Sequence, residues 1–554
     1  MKYETLIRFK IEWFLNKQWW FQCSPEEDAY ISRTYGHWVN EDYCNYKWDA
    51  MDKNISIAWV LVYDQLTRHV QRHFPECQIN IEEKRQKAVQ IVEELLKCHD
   101  LETFSGHEFG FLMLPYRHSY QWEDVYIASL NTWRKIYIDK ANKRHDWVEE
   151  LRPFIKATFM RYPMATIENT SNSDVYAYFP GNKHPWTIHK SNFEKILDHV
   201  PLGVSSSIEL MSLKSMSMFQ KIENEIKMQN IDKTILVSLS GGVDSMVILW
   251  ILSNLKEKYK LNVVAIHINY CNREDIEENF VVSWCTSLGI DIYVRRIREI
   301  QRDICMQLEL RQLYETYTRD CRYQAYHEVW KAIGETGNPW ITMGHNQDDC
   351  FENILTNICH KQKYDELFGM TRLSENNQLC FWRPMLGIAK KDIYTFAKQA
   401  QIPYLHDSTP SWSCRGKIRD KVRPTLEEFH PEMVTGMFQI SETMKELMNH
   451  VKCFVDIAIQ NTMVQSFQPP IYVFDFTNQM PCSLITSDIF WRMYFMKQWN
   501  STIRLKSMKH FCERMERFLS NKDMHKMSVV LIKGKTTLIE KIDSKIRLTF
   551  MCEK

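Results

Sequence analysis

The chain has 554 residues, 44% hydrophobic and 25% charged, with a formal net charge of +1. That length exceeds one ordinary core and implies two to four domains. The balanced charge excludes a general attraction to nucleic acid or membrane, so any basic surface has to be local.

Residues 1–165 read as helices, because apolar and aromatic residues recur three and four apart in "AWVLVYDQLTRHVQRHF" (58–74) and "KRQKAVQIVEELLKCHDL" (84–101). The segment "ENTSNSDVYAYFPGNKHPW" (168–186) is rich in Asn, Ser, Gly and Pro and marks a boundary, giving an all-helical domain over about 1–190. From about 205 the pattern changes. A helix-like segment (206–230) leads to the strand "TILVSLS", a Gly-Gly loop and a second helix. Then follow "LNVVAIHINY", "IDIYVRRI", a long helix over about 305–335, the strand "PWITMGH" and the helix "DDCFENILTNI". Short β-branched runs alternating with helices predict an α/β domain over 205–410, a doubly wound parallel sheet covered on both faces. Residues 411–554 read as a smaller mixed domain: helices, then "SVVLIKGKTTLIEKIDSKIRLTF", an antiparallel unit turning at Lys533-Gly534-Lys535.

The 16 Cys follow no regular framework and include no C-x-x-C pair. With charged residues interrupting the N-terminus, they read as mostly buried thiols of a cytoplasmic protein without a membrane segment. The most membrane-like window, 235–255, contains Gly241, Gly242 and Asp244 and divides better into strand, loop and helix.

The loop "SLSGGVDSMV" (238–247) carries the chemistry. After a buried strand the chain must turn sharply and restart as a helix. Gly241 and Gly242 allow that turn and a close backbone approach to a ligand. The first N–H groups of a helix starting near Val243 lack internal partners and carry the positive dipole end. A phosphate fits there without a lysine, helped by the hydroxyls of Ser240 and Ser245, and Asp244 is placed to hold a metal ion that screens phosphates. The plain alternative is a strand–helix turn capped by Ser240. Neither a G-x-x-x-x-G-K-[ST] nor a G-x-G-x-x-G pattern is present here.

The loop resembles the S-G-G-x-D-S signature of pyrophosphatase-loop ATP enzymes, which cleave ATP between its α and β phosphates. Downstream segments resemble the tRNA(Ile)-lysidine synthetases within that superfamily. "AIHINYCNRE" (265–274) has His267, Asn269 and Arg273 of H-x-N-H-x-x-R, with Tyr270 in place of the second His. "RDCRYQAYHEV" (319–329) resembles the R-x-x-R-Y helix through Arg319, Arg322 and Tyr323. "GHNQDDCFENIL" (344–355) matches G-H-x-x-D-D-x-x-E, and "RPMLGIAKKDI" (383–393) resembles R-P-L-L. "HDSTPSWSCRGKIRDKVRPTLEEFHP" (406–431) resembles the family's tail, with Thr409 and Gly416 where the family has Asn. The related tRNA 2-thiocytidine synthetases need C-x-x-C pairs, which counts against sulfur transfer.

The resemblance implies an adenine-nucleotide α-hydrolase-like fold, with ATP and Mg²⁺ as cofactors and tRNA and free lysine as partners. It implies ATP contacts from Ser240, Gly241, Gly242, Val243, Ser245, His267 and His345. Such an enzyme activates C2 of a cytidine, at the anticodon wobble position, with AMP and replaces its oxygen with the lysine ε-amine. The alternatives are the same activation with another nucleophile or nucleic acid, and a non-catalytic scaffold fusion with a degenerate ATP site. Asp349 and Glu352, three apart and on one helix face, are candidates to hold the ammonium and accept its proton. Asn346, Asp348 and Asp349 also read as a well-capped helix start. Asp244 is assigned to the Mg²⁺ and phosphate end. Arg322, Arg383 and Arg415 serve the transferring phosphate or the RNA backbone, or else lie on solvated helix faces. Within "CRGKIRDKVRP", Arg415, Lys417 and Arg419 are candidates for RNA phosphate contact, with a solvated helix face as the alternative.

The first third resembles a mostly bacterial family of uncharacterised helical domains built like tetratricopeptide superhelices. The matches are Trp20, Phe21 and Asp28; then Asp64, Gln65, Arg68 and Arg72; then Pro115, His118 and Ser119. Asp64, Arg68 and His118 form either a small polar site or an ion-pair network that fixes helix packing.

Overall fold

The computed structural model describes residues 3–21, 23–41, 52–170, 184–190, 212–213, 216–229, 234–271, 276–359, 368–405, 414–467, 470–476, 486–499, 503–532, 535–542 and 545–552. The chain folds into two compact units. One contains Met1–Gly344, Leu373–Pro384 and Ile393–His406; the other contains His345–Arg372, Met385–Asp392 and Asp407–Lys554. This division differs from the expected 1–190, 205–410 and 411–554.

In the first unit, helices Tyr3–Leu15, Pro25–Tyr35, Lys53–Val60, Thr67–His73, Ile81–Cys98, Gly106–Arg117, Trp122–Ala141 and Trp147–Phe159 form the N-terminal part. Their starts are fixed locally. Ser24 with Glu27, and Ser105 with Glu108, form capping boxes that satisfy first-turn N–H groups. Helix Ile81–Cys98 buries Ala88, Ile91, Val92 and Leu95, one stripe at helical spacing. A Cβ on Gly110 would lie 2.6 Å from the Phe154 ring, so glycine sets the close approach of two helices there.

The α/β part of this unit is a seven-stranded sheet in the order β1-β4-β3-β2-β5-β7-β6. The strands are β1 (Trp186–His189), β2 (Thr234–Ser238), β3 (Asn262–Asn269), β4 (Asp291–Arg296), β5 (Trp340–Thr342), β6 (Leu373–Asn376) and β7 (Leu379–Trp382). The five central strands are parallel; β1 and β6 run antiparallel along the two edges. β1 lies inside the stretch expected to be wholly helical. Trp186 is buried and its indole N–H donates to Ala165 O (2.8 Å). From β2 the chain builds outward to β3 and β4, then returns to place β5 on the other side of β2. The strand order therefore reverses between β2 and β5, where open α/β sheets bind ligands.

The helical and α/β parts share one core. Trp133, Trp147, Phe159 and Tyr162 pack with Ile297, Ile300, Ile304, Tyr314 and Tyr317 in one buried cluster. The Trp133 indole donates to Glu299 O (3.1 Å) and Arg152 Nε donates to Leu308 O (2.8 Å).

The second unit carries a five-stranded antiparallel sheet, β10-β11-β12-β9-β8. Its strands are β8 (Thr462–Phe467), β9 (Pro470–Phe476), β10 (Lys526–Ile532), β11 (Lys535–Ile542) and β12 (Lys545–Cys552). Helices Asp488–Trp499 and Leu505–Ser520 supply Trp491, Phe495, Phe511 and Phe518 to a core with Val529, Ile539, Leu548 and Phe550. β10 ends at Ile532 and β11 starts at Lys535, bracketing the expected turn; Lys533 and Gly534 lie outside the described residues.

The cysteines depart from expectation. Cys285, Cys305, Cys321, Cys350 and Cys512 are buried, but Cys77, Cys98, Cys359, Cys414 and Cys453 are exposed. Among the described residues, no helix is long and apolar enough to cross a membrane.

Candidate active site

The loop after β2 is held as a cradle by its own side chains and by one neighbouring segment. Gly241 has φ +82°, the left-handed region that favours glycine. Its carbonyl accepts from Leu405 N–H (2.9 Å). Ser245, buried in the first turn, donates its hydroxyl to Gly242 O (2.9 Å) and accepts from Ser240 N–H (3.2 Å). Gly242 caps the helix Val243–Tyr259 and has no side chain to fill the capping role, so the dipole end at Val243, Asp244 and Ser245 is left to a ligand anion. The expectation that Ser240 caps this helix is replaced by a glycine cap, with Ser240 and Ser245 braced against each other (3.2 Å).

Two further residues shape this edge of the sheet. A Cβ on Gly344, after β5, would lie 2.9 Å from Asp244 C and Ser245 N, so glycine lets that turn press against the cradle. Composition gave no hint of this role, although the G-H-x-x-D-D-x-x-E match contained the residue. His267, near the end of β3, is buried; its Nδ1–H donates to Leu239 O (2.8 Å), while Nε2 has no partner. Burial lowers its pKa, against the opposing effect of the Leu239 hydrogen bond, and one ring nitrogen is left unsatisfied. Asn269, from the same motif, is structural. It donates to Glu278 (3.0 Å), which is also paired with Arg296.

In the second unit, the helix Gln347–Cys359 presents the acidic pair. Asn346 Oδ1 accepts from the N–H groups of Asp348 (2.9 Å) and Asp349 (3.2 Å), and Asp349 Oδ2 accepts from Asn346 N–H (3.1 Å). Asn346 therefore caps the helix and Asp349, in its first turn, closes the reciprocal bond, while the other Asp349 oxygen accepts from Arg415 Nη2 (2.5 Å). Glu352, 3% exposed, accepts from Arg415 Nε (2.8 Å) and Arg419 Nε (2.9 Å). Burial opposes the charge on Arg415, but Asp349 and Glu352 outweigh it and raise its pKa. Asp348 is paired with Arg423.

Three arginines of the densest basic stretch are thus engaged by carboxylates of the same unit. Arg415 and Arg419, expected to meet RNA phosphate, make ion pairs within the protein, and Arg423 does the same. Lys417 and Lys421 are exposed. Sequence reasoning assigned the carboxylates and the arginines separately and missed that they form one lattice, because the partners lie more than sixty positions apart.

Arg322 stands over the Tyr323 ring at 5.8 Å. Arg383 donates to Ser374 Oγ (2.8 Å) and lies over Phe381, so it braces the β6–β7 edge. His345, half-buried, follows β5. Arg273 and Thr409 lie outside the described residues, and Gly416 is buried.

The polar residues singled out in the helical part do converge. Leu61–Leu66 is a π-helical segment, a local widening common at functional positions. Asp64, buried there, accepts from His118 Nδ1 (2.9 Å) and lies 3.4 Å from Arg68 Nε. Burial acts to raise the Asp64 pKa, but His118, Arg68 and Gln65 together bring it below the ordinary value. Two turns along, Asp28 makes the same kind of group with His69 (2.5 Å) and Arg72 (2.8 Å).

Residues 213–426 match the PP-loop domain family, and residues 9–166 match a family described as "Bacterial protein of unknown function (DUF924)". Among curated proteins, the tRNA(Ile)-lysidine synthase of Pseudothermotoga lettingae is 30% identical over 223 residues, 39% of this chain and 47% of that protein. That of Clostridium tetani is 28% identical over 211 residues, 37% and 43% of the two chains. The chain thus spans a little under half the length of these relatives. Among solved structures, the U34-tRNA thiolase NcsA of Methanococcus maripaludis aligns with TM-score 0.34 and 17% identity, over 41% of this chain and 78% of that one. The chain therefore joins a DUF924 domain to a PP-loop ATP-binding domain whose homologues include the tRNA(Ile)-lysidine synthases.

Proposed function

We propose that the protein is an ATP-dependent RNA-modifying ligase that activates C2 of a tRNA cytidine, at the anticodon wobble position, with AMP and replaces its oxygen with the ε-amine of free lysine. The observation that carries this reading is the glycine cradle at the reversal of strand order, capped by Gly242 and pressed by Gly344, within a PP-loop domain. The backbone of Gly241 to Ser245 and the Ser240 and Ser245 hydroxyls bind the phosphates of ATP. The unsatisfied His267 Nε2 accepts a hydrogen bond from the nucleotide. Asp244 holds Mg²⁺, which when bound supplies positive charge to the phosphates.

A lysine ε-amine is mostly protonated at neutral pH. Asp349 and Glu352 receive that ammonium and take up its proton. Support for this comes from Arg415, a half-exposed cation already on both carboxylates, which would withdraw to admit the substrate ammonium. Arg322 meets the phosphate of the substrate RNA, and Lys417 and Lys421 make exposed contacts with the tRNA backbone. A second reading keeps the activation by AMP but uses another nucleophile. It is favoured by Tyr270 and the buried Gly416, which replace family residues.

The test is incubation of the full chain with [α-³²P]ATP, a panel of tRNAs and each amino acid, followed by mass spectrometry of the nucleosides. Lysidine together with AMP is the expected result. AMP with another modified nucleoside supports the second reading, and no AMP with any tRNA removes both.

A further inference from the structure

One cavity of the first unit lies at the carboxyl edge of the sheet. It has a volume of about 250 Å³ and is lined by Tyr270, Arg302, Tyr314, Glu315, Thr318, Arg319 and Arg322. Tyr270 is the first residue beyond β3, on the carboxyl edge of the sheet. Arg322 lies one helical turn before Tyr326, whose hydroxyl is 2.8 Å from Ser238 Oγ at the end of β2, the strand that feeds the glycine loop. The cavity therefore opens on the same edge as the cradle.

Its lining narrows the ligand. Tyr314, Thr318, Arg319 and Arg322 come from successive turns of the helix Arg311–Ala332. Tyr314 and Thr318 are buried, whereas the Arg319 side chain is 53% exposed at the rim. The lining holds three guanidiniums and one carboxylate; that carboxylate, Glu315, is paired with Arg311 (2.8 Å), and Arg319 Nε lies 3.5 Å from Asp320, outside the lining. Arg322 has a buried Nε without a partner. An excess of guanidinium charge repels cations and metals, and the charged wall disfavours an apolar ligand. A free amino acid would bring one carboxylate to three guanidiniums, together with an ammonium they repel. A phosphate suits them, since guanidinium forks match its oxygens, and the phenol rings offer a surface on which a base can stack. The volume suits a single unstacked nucleotide and not a duplex.

We propose that this cavity seats the target nucleotide of the RNA, its base on Tyr270 and its flanking phosphates on Arg302 and Arg319. This rests on the RNA-modifying reading above and deepens it. Tyr270, where the resembling family has histidine, is then a positioning residue for the base.

The test uses the full chain and a fluorescein-labelled single-stranded RNA heptamer containing one cytidine, read by anisotropy across a salt series. Arg302→Gln and Arg319→Gln should each weaken binding about tenfold and reduce the salt slope by about 0.7, the value for one phosphate contact on a single strand. Tyr270→Ala should weaken binding by about 5- to 150-fold, the range for one base stack, while thermal melts and ATP binding match the wild type. Unlabelled cytidine monophosphate should compete and free lysine should not. RNA binding by all three variants equal to wild type, with the same slope, overturns the cavity assignment and leaves the ligase reading standing, as does competition by lysine alone. A wild-type protein that binds no RNA removes the ligase reading and this inference together.

Discussion

Arg415 touches both carboxylates of the acidic helix, so neither Asp349 nor Glu352 can be changed without disturbing the other. Glu352 is buried while its two arginines are partly exposed. Glu352→Gln should therefore remove modification and also destabilise the second unit by about 1.5–3 kcal/mol, the range for a lost hydrogen bond to a charged group. Urea unfolding measures the second effect; an unchanged midpoint would mean the lattice adds nothing to stability. Gly344→Ala makes a different kind of damage. Its Cβ would meet backbone at 2.9 Å, so the cradle must shift, and AMP formation should fall at least tenfold while global stability drops only modestly. Normal AMP formation in that variant would show that the cradle tolerates displacement. At Asp64, folding lowers a carboxyl pKa. Its contribution is full above the ordinary Asp value of about 3.9 and is lost as pH falls through the lower folded value. Acid should therefore destabilise the helical part below about pH 4, and Asp64→Asn should flatten that dependence in melts recorded from pH 6 to 2. Asp349, Glu352 and Asp64 were legible in the sequence through the family motifs they match. The grouping of Asp64 with Arg68 and His118 was legible with them, whereas the pairing of Glu352 with Arg415 was not, because only the fold joins them.

Among the elements, the long parallel strands were legible because they are runs of buried β-branched residues. β1, β6 and β7 were not. β1 has four residues, only Trp186 of which is fully buried. β6 and β7 form a hairpin whose register pairs Asn376 with Leu379, leaving a two-residue turn at Asn377 and Gln378. Both turn residues have positive φ, 50° and 61°, the requirement of a type I′ turn. The usual signal for that turn is Asn-Gly, and here glutamine stands in the second position. Gln378→Gly should relieve that strain and raise stability by about 0.5–1 kcal/mol, read as a higher urea midpoint with an unchanged slope. A lower midpoint would mean that the Gln378 side chain contributes more than its backbone costs. The acidic helix was legible as an element for the opposite reason: its cap, its i,i+3 carboxylates and its apolar face all agree.

At the scale of the molecule, the expected boundary near 168–186 does separate two patterns of sequence, yet the core runs across it. Periodicity reports which face of a helix is buried and not what buries it, so the partnership of Trp133, Phe159 and Tyr317 was invisible until the chain was folded. Trp133→Ala should cost about 3–5 kcal/mol and should lower the urea concentration at which ATP binding is lost, although the residue belongs to the DUF924 domain. Loss of helical signal at one denaturant concentration and of ATP binding at another, with only the first moved by the substitution, would show that the shared core does not couple the two parts.

That shared core also governs how such a fusion can be rearranged. A graft that exchanged residues 1–165 for the helical domain of another protein would bring the wrong aromatic surface to Ile297, Ile304 and Tyr317. The transplantable piece has to take Ile297–Cys321 with it, including the first turns of the helix that lines the arginine cavity. A change in the aromatic face of the helical domain is thus passed to the wall of the arginine cavity.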